Sequence, residues 1–385
     1  MNIKYSKYKK EKSMIRTMLF AAATFGIATA ASAQSYEDLL AVGEATTKQN
    51  NMNAPFVEPS SITAVTNPST WPKFQNRAPA DRSPKDKASK LITMGTGTPT
   101  PSTFRFGPAM VLIVNGYPYF VDCGEGWWRA VNRSTLTQGG LDLTNILTVG
   151  NAKYMFLTHL HEDHTVGLPS FILSPYKFGS TTDKVVFGPP GTEALIHGIV
   201  EGWSLDRQEM VQGSTHQSPQ GNSATVGEVD FDIGAPGPVF EDDNVKVEAF
   251  PTEHGSLAHT LAFRFTTKPD GRIIAFGGDG HYSKGLVQAA KDADILVIEG
   301  ITRKNIKYAT WGGNTVEEKV KTISAYHMFP SDMKKVQDES GVKTIVMVHE
   351  QNFNAPKDFS RTGLRDEMRE AGVQNIYSAI DGDMY

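Results

Sequence analysis

The sequence predicts an α/β protein built around two sheets. From about residue 90 onward, short apolar runs bounded by turn residues alternate with amphipathic segments at helical spacing. The first half of that region is strand-rich and poor in helices, whereas the second half mixes both. The chain has 385 residues, 39% hydrophobic and 21% charged, which is enough to bury one large core or two small ones.

The chain opens differently. Lys4, Lys7, Lys9, Lys10, Lys12 and Arg16 form a basic stretch, and residues 18–30, MLFAAATFGIATA, form an apolar run too short to span a bilayer. Ala31, Ser32 and Ala33 then place small residues at A-x-A spacing. This order is that of a secretory signal peptide over residues 1–33, cut after Ala33, and it implies a periplasmic or secreted product. No later run is long and apolar enough for a membrane span. Residues 34–89 are polar and punctuated by proline, so an irregular extension is expected there, followed by a globular domain over 90–385.

Within that domain LITMG (91–95) and AMVLIV (109–114) read as strands, and YPYFVD (117–122) follows a turn at Gly116. KYMFL (153–157) is the next strong strand, and GTEALIHGIVEGW (191–203) has helical spacing. Residues 204–226, rich in Gln, Ser and Gly, are expected to form an exposed loop. VKVEAF (245–250), TLAFRFTT (260–267) and RIIAFGG (272–278) follow one another as in a meander. KGLVQAAKDA (284–293) is an amphipathic helix, ILVIEG (295–300) a buried strand, and SDMKKVQDES (331–340) a helix capped by Ser331. KTIVMVH (343–349) is a buried strand, GLRDEMREA (363–371) a last helix and QNIYSA (374–379) a last strand.

Four of these strands end in residues of metal-ligand type. The strand at 153–157 delivers His159, His161, Asp163 and His164 in the run THLHEDH; the others deliver His254, Asp279 and His349. Side chains on loops held by a rigid sheet are well placed for chemistry. In H-x-H-x-D-H the first two imidazoles converge if the backbone stays extended, and the Asp and third His then turn across the start of a following helix. One loop can thereby offer ligands to two ions. Imidazole with carboxylate suits zinc, and iron or manganese less exclusively. A solvated polar turn is the bland alternative, and the spacing disfavours it.

THLHEDH resembles the signature of the metallo-β-lactamase superfamily of metal-dependent hydrolases. MGTGTPTPSTFRFGPA and FVDCGEG resemble the opening strands of its ribonuclease Z branch, and FGGDG resembles that branch's SGDT segment with Gly280 in place of Thr. SAYHMFPSDMKKVQDESGVKTIVMVH resembles its penultimate-histidine loop, helix and final strand, so the likeness runs from about Lys90 onward. It implies a four-layer αββα sandwich and a binuclear site for divalent ions, with Zn2+ the expected metal. In that likeness His159, His161 and His254 hold one ion, Asp163, His164 and His349 hold the other, and Asp279 bridges them together with a water or hydroxide. Asp163 would also orient that nucleophile. His327, 22 residues before His349, stands at the branch's HST-type histidine and would give a proton to the leaving oxygen or stabilise the oxyanion. Met328 follows it where Ser or Thr is usual.

Other residues invite weighing. His259 rivals His254, but His254 follows its strand directly, which leaves His259 as a residue behind the site or in the pocket. His281 reads as a helix-start residue, His197 and His216 as structural or exposed, and Glu162 as solvated. Cys123, the only cysteine, reads as a small buried residue. The glycines of MGTGTPTPS lack a following Lys and helix, so a tight inter-strand turn is expected in place of a phosphate cradle. Trp127, Trp128, Tyr176, Trp203 and Trp311 are candidates for the pocket lining.

Ribonuclease Z proteins that process tRNA carry a long flexible arm between the third-motif histidine and the bridging aspartate, or close by. Here only 24 residues separate His254 from Asp279, and strands fill nearly all of them. Of the 38 Lys/Arg and 42 Asp/Glu, six and one respectively fall in residues 1–33, so the remainder carries a net charge of −9. An acidic exported chain is poorly suited to grip a long polyanion. The expectation is therefore an exported binuclear hydrolase that cleaves a small phosphodiester or sulfate ester, like the arm-less arylsulfatases and phosphodiesterases of the branch. No nucleic acid is expected as partner, and a homodimer is common in the branch. The alternatives are a lactonase or other acyl-ester hydrolase on the same site, a ribonuclease Z-like RNase, and a metal-binding protein without turnover. The mature protein should begin at Gln34; N-terminal sequencing that finds residues 1–33 retained after export would overturn the signal-peptide reading.

Overall fold

The computed structural model describes residues 81–385 apart from 83–85, 101–104, 138–142, 144, 149, 178–179, 181, 214–223, 229–235, 352 and 354–362. The expected signal peptide, the expected extension before Asp81 and His216 lie outside the described residues. The first sheet contains β1 (Ser89–Gly95), β2 (Ala109–Val114), β3 (Tyr117–Val121), β4 (Tyr154–Phe156), β5 (Lys184–Gly188), β6 (Ala224–Glu228) and β14 (Asp383–Met384). The second contains β7 (Gly237–Glu241), β8 (Val245–Pro251), β9 (Leu261–Thr267), β10 (Ile273–Phe276), β11 (Ile295–Ile301), β12 (Ile345–Gln351) and β13 (Ile376–Ser378). Their orders are β14-β1-β2-β3-β4-β5-β6 and β13-β12-β11-β10-β9-β8-β7. Each sheet is half antiparallel and half parallel. Pairing is parallel from β3 to β6 in the first and from β10 to β13 in the second.

Period-two alternation explains why these strands read as unbroken apolar runs. In β2, Val111 and Ile113 face the outer helices, while Met110, Leu112 and Val114 face the opposite sheet. In β12, Ile345 and Met347 face outward and Val346 and Val348 inward. Both faces of both sheets are therefore covered. Helices α1 (Trp127–Thr137), α2 (Glu162–Thr165), α3 (Leu168–Lys177), α4 (Thr192–Gly202) and α5 (Ser204–Gly213) belong to the first half. Trp127, Phe171 and Ile196 of α1, α3 and α4 close the outer core of the first sheet. Helices α6 (Lys284–Ala289), α7 (Val316–Ile323), α8 (Pro330–Ser340) and α9 (Gly363–Glu370) belong to the second half. Leu286, Met333 and Leu364 of α6, α8 and α9 pack on the second sheet. The layering is the expected αββα sandwich.

Several elements differ from expectation. Residues 204–226 are not one loop. Helix α5 occupies Ser204–Gly213 and β6 Ala224–Glu228. Leu205, Arg207, Gln208, Glu209 and Met210 are good helix formers, and the Gln/Ser/Gly richness belongs to residues 214–223, outside the described residues. Strand β6 owes its place to pairing with β5 and not to its own pattern. Ser331 does not cap α8; the cap residue is Phe329, with Pro330 opening the helix. Helix α6 stops at Ala289, short of the expected 293. Between His254 and Asp279 the chain forms β9 and β10 with short connections, as the spacing implied.

The sheets are held together by an aromatic cluster. The Phe156 ring lies 4.9 Å from Phe187, 5.0 Å from Phe265 and 5.5 Å from Phe263. Phe156→Ala should cost about 3–5 kcal/mol of stability in urea unfolding at unchanged m-value, because the opposing sheet cannot collapse into the space.

Candidate metal centre

The predicted ligands come from both sheets. His159, His161, Asp163 and His164 follow β4, and His254 follows β8. Asp279 follows β10, while His349 lies within β12, two residues before its end. All of these except half-buried His161 are buried. The backbone is bent to bring them in. His349 sits at φ 47° with its N–H bonded to Thr96 O (3.0 Å). Gly278, just before Asp279, sits at φ 63°, and a Cβ there would lie 2.7 Å from Thr158 Cβ.

Hydrogen bonds set the tautomers. Thr158 Oγ1 donates to Asp122 Oδ2 (2.9 Å), so at 3.1 Å it accepts from His159 Nδ1. His164 Nδ1 donates to Asp122 Oδ2 at 2.9 Å, and His254 Nδ1 donates to Tyr326 O at 2.6 Å. The Nε2 lone pairs of His159 and His254 are thereby left to the site. Each lies 3.2 Å from His161 Nδ1. One proton on His161 Nδ1 cannot serve both neighbours fully, whereas a cation at the centre of the three satisfies all of them. Tetrahedral zinc with Zn–N of about 2.0–2.1 Å places its nitrogens about 3.3 Å apart, close to this spacing.

The second group is acidic. His349 Nε2 lies 3.0 Å from Asp163 Oδ2 and 3.4 Å from Asp279 Oδ2. His164 Nε2 lies 3.4 Å from Asp279 Oδ1 and 3.7 Å from Asp163 Oδ2. Asp279 thus has donor atoms within reach of both groups. His164 Nε2 and Asp279 Oδ1 are buried without a hydrogen-bond partner. Burial acts to raise Asp279, but His349, His164 and His159 outweigh it and hold the carboxyl well below its usual range. Burial likewise opposes the bond from His349 and the charge of His164 at Asp163, which ends lowered. Burial disfavours charge on His164, yet Asp279 and Asp122 hold it well above the ordinary imidazole value. The carboxylates therefore demand positive charge. Burial and His164 keep His159 well below its ordinary value, and burial takes His254 down to about 4, so both are neutral donors near pH 7. Buried ionised carboxylates, neutral imidazoles and orphaned donor atoms fit a divalent cation site.

His327 joins this cluster. Its ring centroid is 5.3 Å from that of His254 and 6.4 Å from that of His349. Its Nδ1 lies 2.8 Å from both oxygens of Glu299, whose Oε1 also accepts from Gly280 N at 2.9 Å. Burial, then the charge of Asp279, raises Glu299 well above the carboxylate range, and burial lowers His327.

Sequence reasoning missed Glu299, Asp122 and the support behind His349. Glu299 was visible as an acid inside an otherwise apolar strand, and Asp122 as an acid directly after one. Thr96, which holds His349, is itself fixed by Asp381. Asp381 Oδ1 accepts from Thr96 N (2.9 Å) and Oγ1 (2.7 Å), and its Oδ2 accepts from Phe106 N (2.7 Å). The residues judged peripheral stay peripheral. His259, Glu162 and His197 are exposed, His281 pairs with Glu253 at 3.6 Å, and Cys123 is buried. Trp127 is not a pocket residue, because Phe120 and Phe171 pack its ring into the outer core. Trp128 packs on that core as well, Trp203 is exposed, and the Tyr176 side chain lies outside the described residues. Trp311 does reach the site, 5.7 Å from His327.

A family model for the β-lactamase superfamily domain matches residues 119–349. Ribonuclease Z of Mycobacterium bovis (strain BCG / Pasteur 1173P2) is 26% identical over 263 residues, covering 68% of this chain and 85% of that protein. Ribonuclease Z of Mycolicibacterium paratuberculosis (strain ATCC BAA-968 / K-10) is 27% identical with the same coverage. Among solved structures, the short form of human tRNase Z aligns with a TM-score of 0.53 at 21% identity, covering 77% of this chain and 98% of that one. These relatives correct two expectations: the small phosphodiester or sulfate ester as substrate, and the exclusion of nucleic acid as partner. The exclusion rested on a missing arm, an export signal and a global charge. Those features bear on where RNA is met and how strongly it is gripped, and not on which bond a site cleaves.

Asp122 orients His164 and anchors Thr158 beside His159, so Asp122→Ala should lower metal affinity about 10–100-fold in competition with a chromogenic chelator. Unchanged affinity would remove Asp122 from that role.

Proposed function

The chain belongs to the metallo-β-lactamase superfamily, on its ribonuclease Z-like branch, and from that premise we propose that it is a metal-dependent ribonuclease that hydrolyses a phosphodiester bond in RNA of the tRNA type. The observation that carries the reading is the cluster of two carboxylates and five imidazoles beside the His327–Glu299 pair. His159, His161 and His254 would hold one divalent ion and Asp163, His164 and His349 a second, with Asp279 between them; the donor set suits zinc. Bound metal would lower the pKa of water and neutralise charge on the phosphate.

The chain's own groups do the rest. Asp163, held ionised by its neighbours, accepts a hydrogen bond from the attacking water, orients it and takes its proton. The water oxygen forms the new P–O bond, and the ribose oxygen leaves with its electron pair. His327 Nδ1 is engaged by Glu299, so Nε2 is the nitrogen that gives a proton to that oxygen. Glu299 holds the ring by Nδ1, with both carboxyl oxygens at 2.8 Å, and so fixes the direction in which Nε2 points. Phosphoryl transfer needs leaving-group protonation and charge neutralisation at one point, and the His327–Glu299 pair lies against the metal-ligand cluster.

Zinc-loaded protein is expected to cut a precursor tRNA bearing a 3′ extension, to lose that activity to chelator and to regain it with zinc. His327→Ala should lower kcat about 10²–10⁴-fold at unchanged metal content. No cleavage with zinc, manganese or iron, or full activity in His159→Ala, would sink the reading.

A further inference from the structure

Trp311 is 38% exposed, an unusual position for an indole that touches a site of chemistry. Its ring centroid lies 5.7 Å from His327 and 6.2 Å from Tyr326, and the planes meet at 72° and 85°. Neither neighbour stacks parallel on the indole, and the residue keeps 38% of its surface exposed. Both supports are rigid. His327 is buried and bound to Glu299, while Tyr326 lies across Gly255, 5.6 Å from the His254 ring, with its Oη 3.3 Å from Ser256 Oγ.

The backbone that presents Trp311 is equally fixed. Gly312 and Gly313 follow at φ 90° and 134°, and a Cβ on Gly312 would lie 3.0 Å from Ile323 Cγ1. The N–H groups of Asn314 and Thr315 then bond to Glu318 Oε2 at 2.8 and 3.1 Å, and a Thr315–Glu318 capping box closes the loop onto α7. An exposed aromatic on a loop clamped in this way is preorganised for a flat ligand.

We propose that Trp311 is a base-stacking platform for the nucleotide on the leaving oxygen of the scissile phosphodiester, an inference that rests on the ribonuclease reading above. The group that protonates the leaving oxygen is His327, so the nucleoside attached to that oxygen departs past His327, where the indole stands. Every nucleobase offers a π face, and stacking one on an aromatic side chain contributes about 1–3 kcal/mol with little preference for base identity. The platform therefore takes any purine or pyrimidine, and it supplies grip on single-stranded RNA next to the cut bond, where the chain has no arm between His254 and Asp279.

The test compares wild type, Trp311→Ala and Trp311→Phe on an intact RNA and on the same RNA with an abasic residue on the leaving side. Trp311→Ala should raise KM for the intact RNA about 10-fold, and Trp311→Phe should recover most of that loss. The abasic RNA should be bound as weakly by wild type as by Trp311→Ala. In parallel, adenosine 5′-monophosphate should quench indole emission of the wild type and not of Trp311→Ala. A normal KM in Trp311→Ala, or equal losses on intact and abasic RNA, overturns the platform and leaves the ribonuclease reading standing. Quenching that depends on Trp311 without RNA cleavage by wild type keeps the platform and removes the ribonuclease. Absence of both removes both.

Discussion

The apolar layer between the two sheets sets the distance across which the site's six imidazoles and three carboxylates meet. Ligands after β4 belong to one sheet, and those after β8, β10 and in β12 belong to the other. No strand ladder joins the two sets; packing of rings such as Phe156, Phe263 and Phe265 does, with single bonds such as Leu261 N to Thr158 O at 2.8 Å. Close packing transmits small shifts. A change of thickness in this layer would therefore be felt first at the polar rim, where donor atoms sit 3.0 to 3.4 Å apart.

The site's electrostatics follow from the same burial. Taken out of water, a lone carboxylate would protonate and a lone imidazole would lose its proton. Here Asp163 and Asp279 stay ionised because His164 and His349 face them, while His159 and His254 stay neutral because burial disfavours their charge and neighbouring imidazoles add to it. One half of the cluster is thus a set of neutral nitrogen donors and the other a set of charged oxygens. Asp122 and Glu299 act from outside that set, one turning His164 and the other fixing His327.

Much of this was legible in the sequence, for a physical reason. H-x-H-x-D-H is local geometry, since four side chains on one short loop need no knowledge of the fold to converge. Strands buried on both faces announce themselves as apolar runs, and the ladder from β8 to β10 follows directly. What stayed hidden depends on partners far along the chain. Asp122 meets His164 across 42 positions and Glu299 meets His327 across 28, and neither pairing has a spacing signature. Strand β6 exists only because β5 offers it an edge. The substrate inference failed for another reason: a missing arm, an export signal and a net negative charge all leave the bond-cleaving groups untouched.

The bond from Thr96 Oγ1 to Asp381 spans 285 positions, and through Thr96 it reaches the backbone of His349. Closing so long a loop costs chain entropy before any contact rewards it, and topologies dominated by such contacts fold slowly. The placing of the His349 imidazole therefore depends on Asp381 being docked, so the ion-binding geometry is complete only when the two ends of the described domain have met.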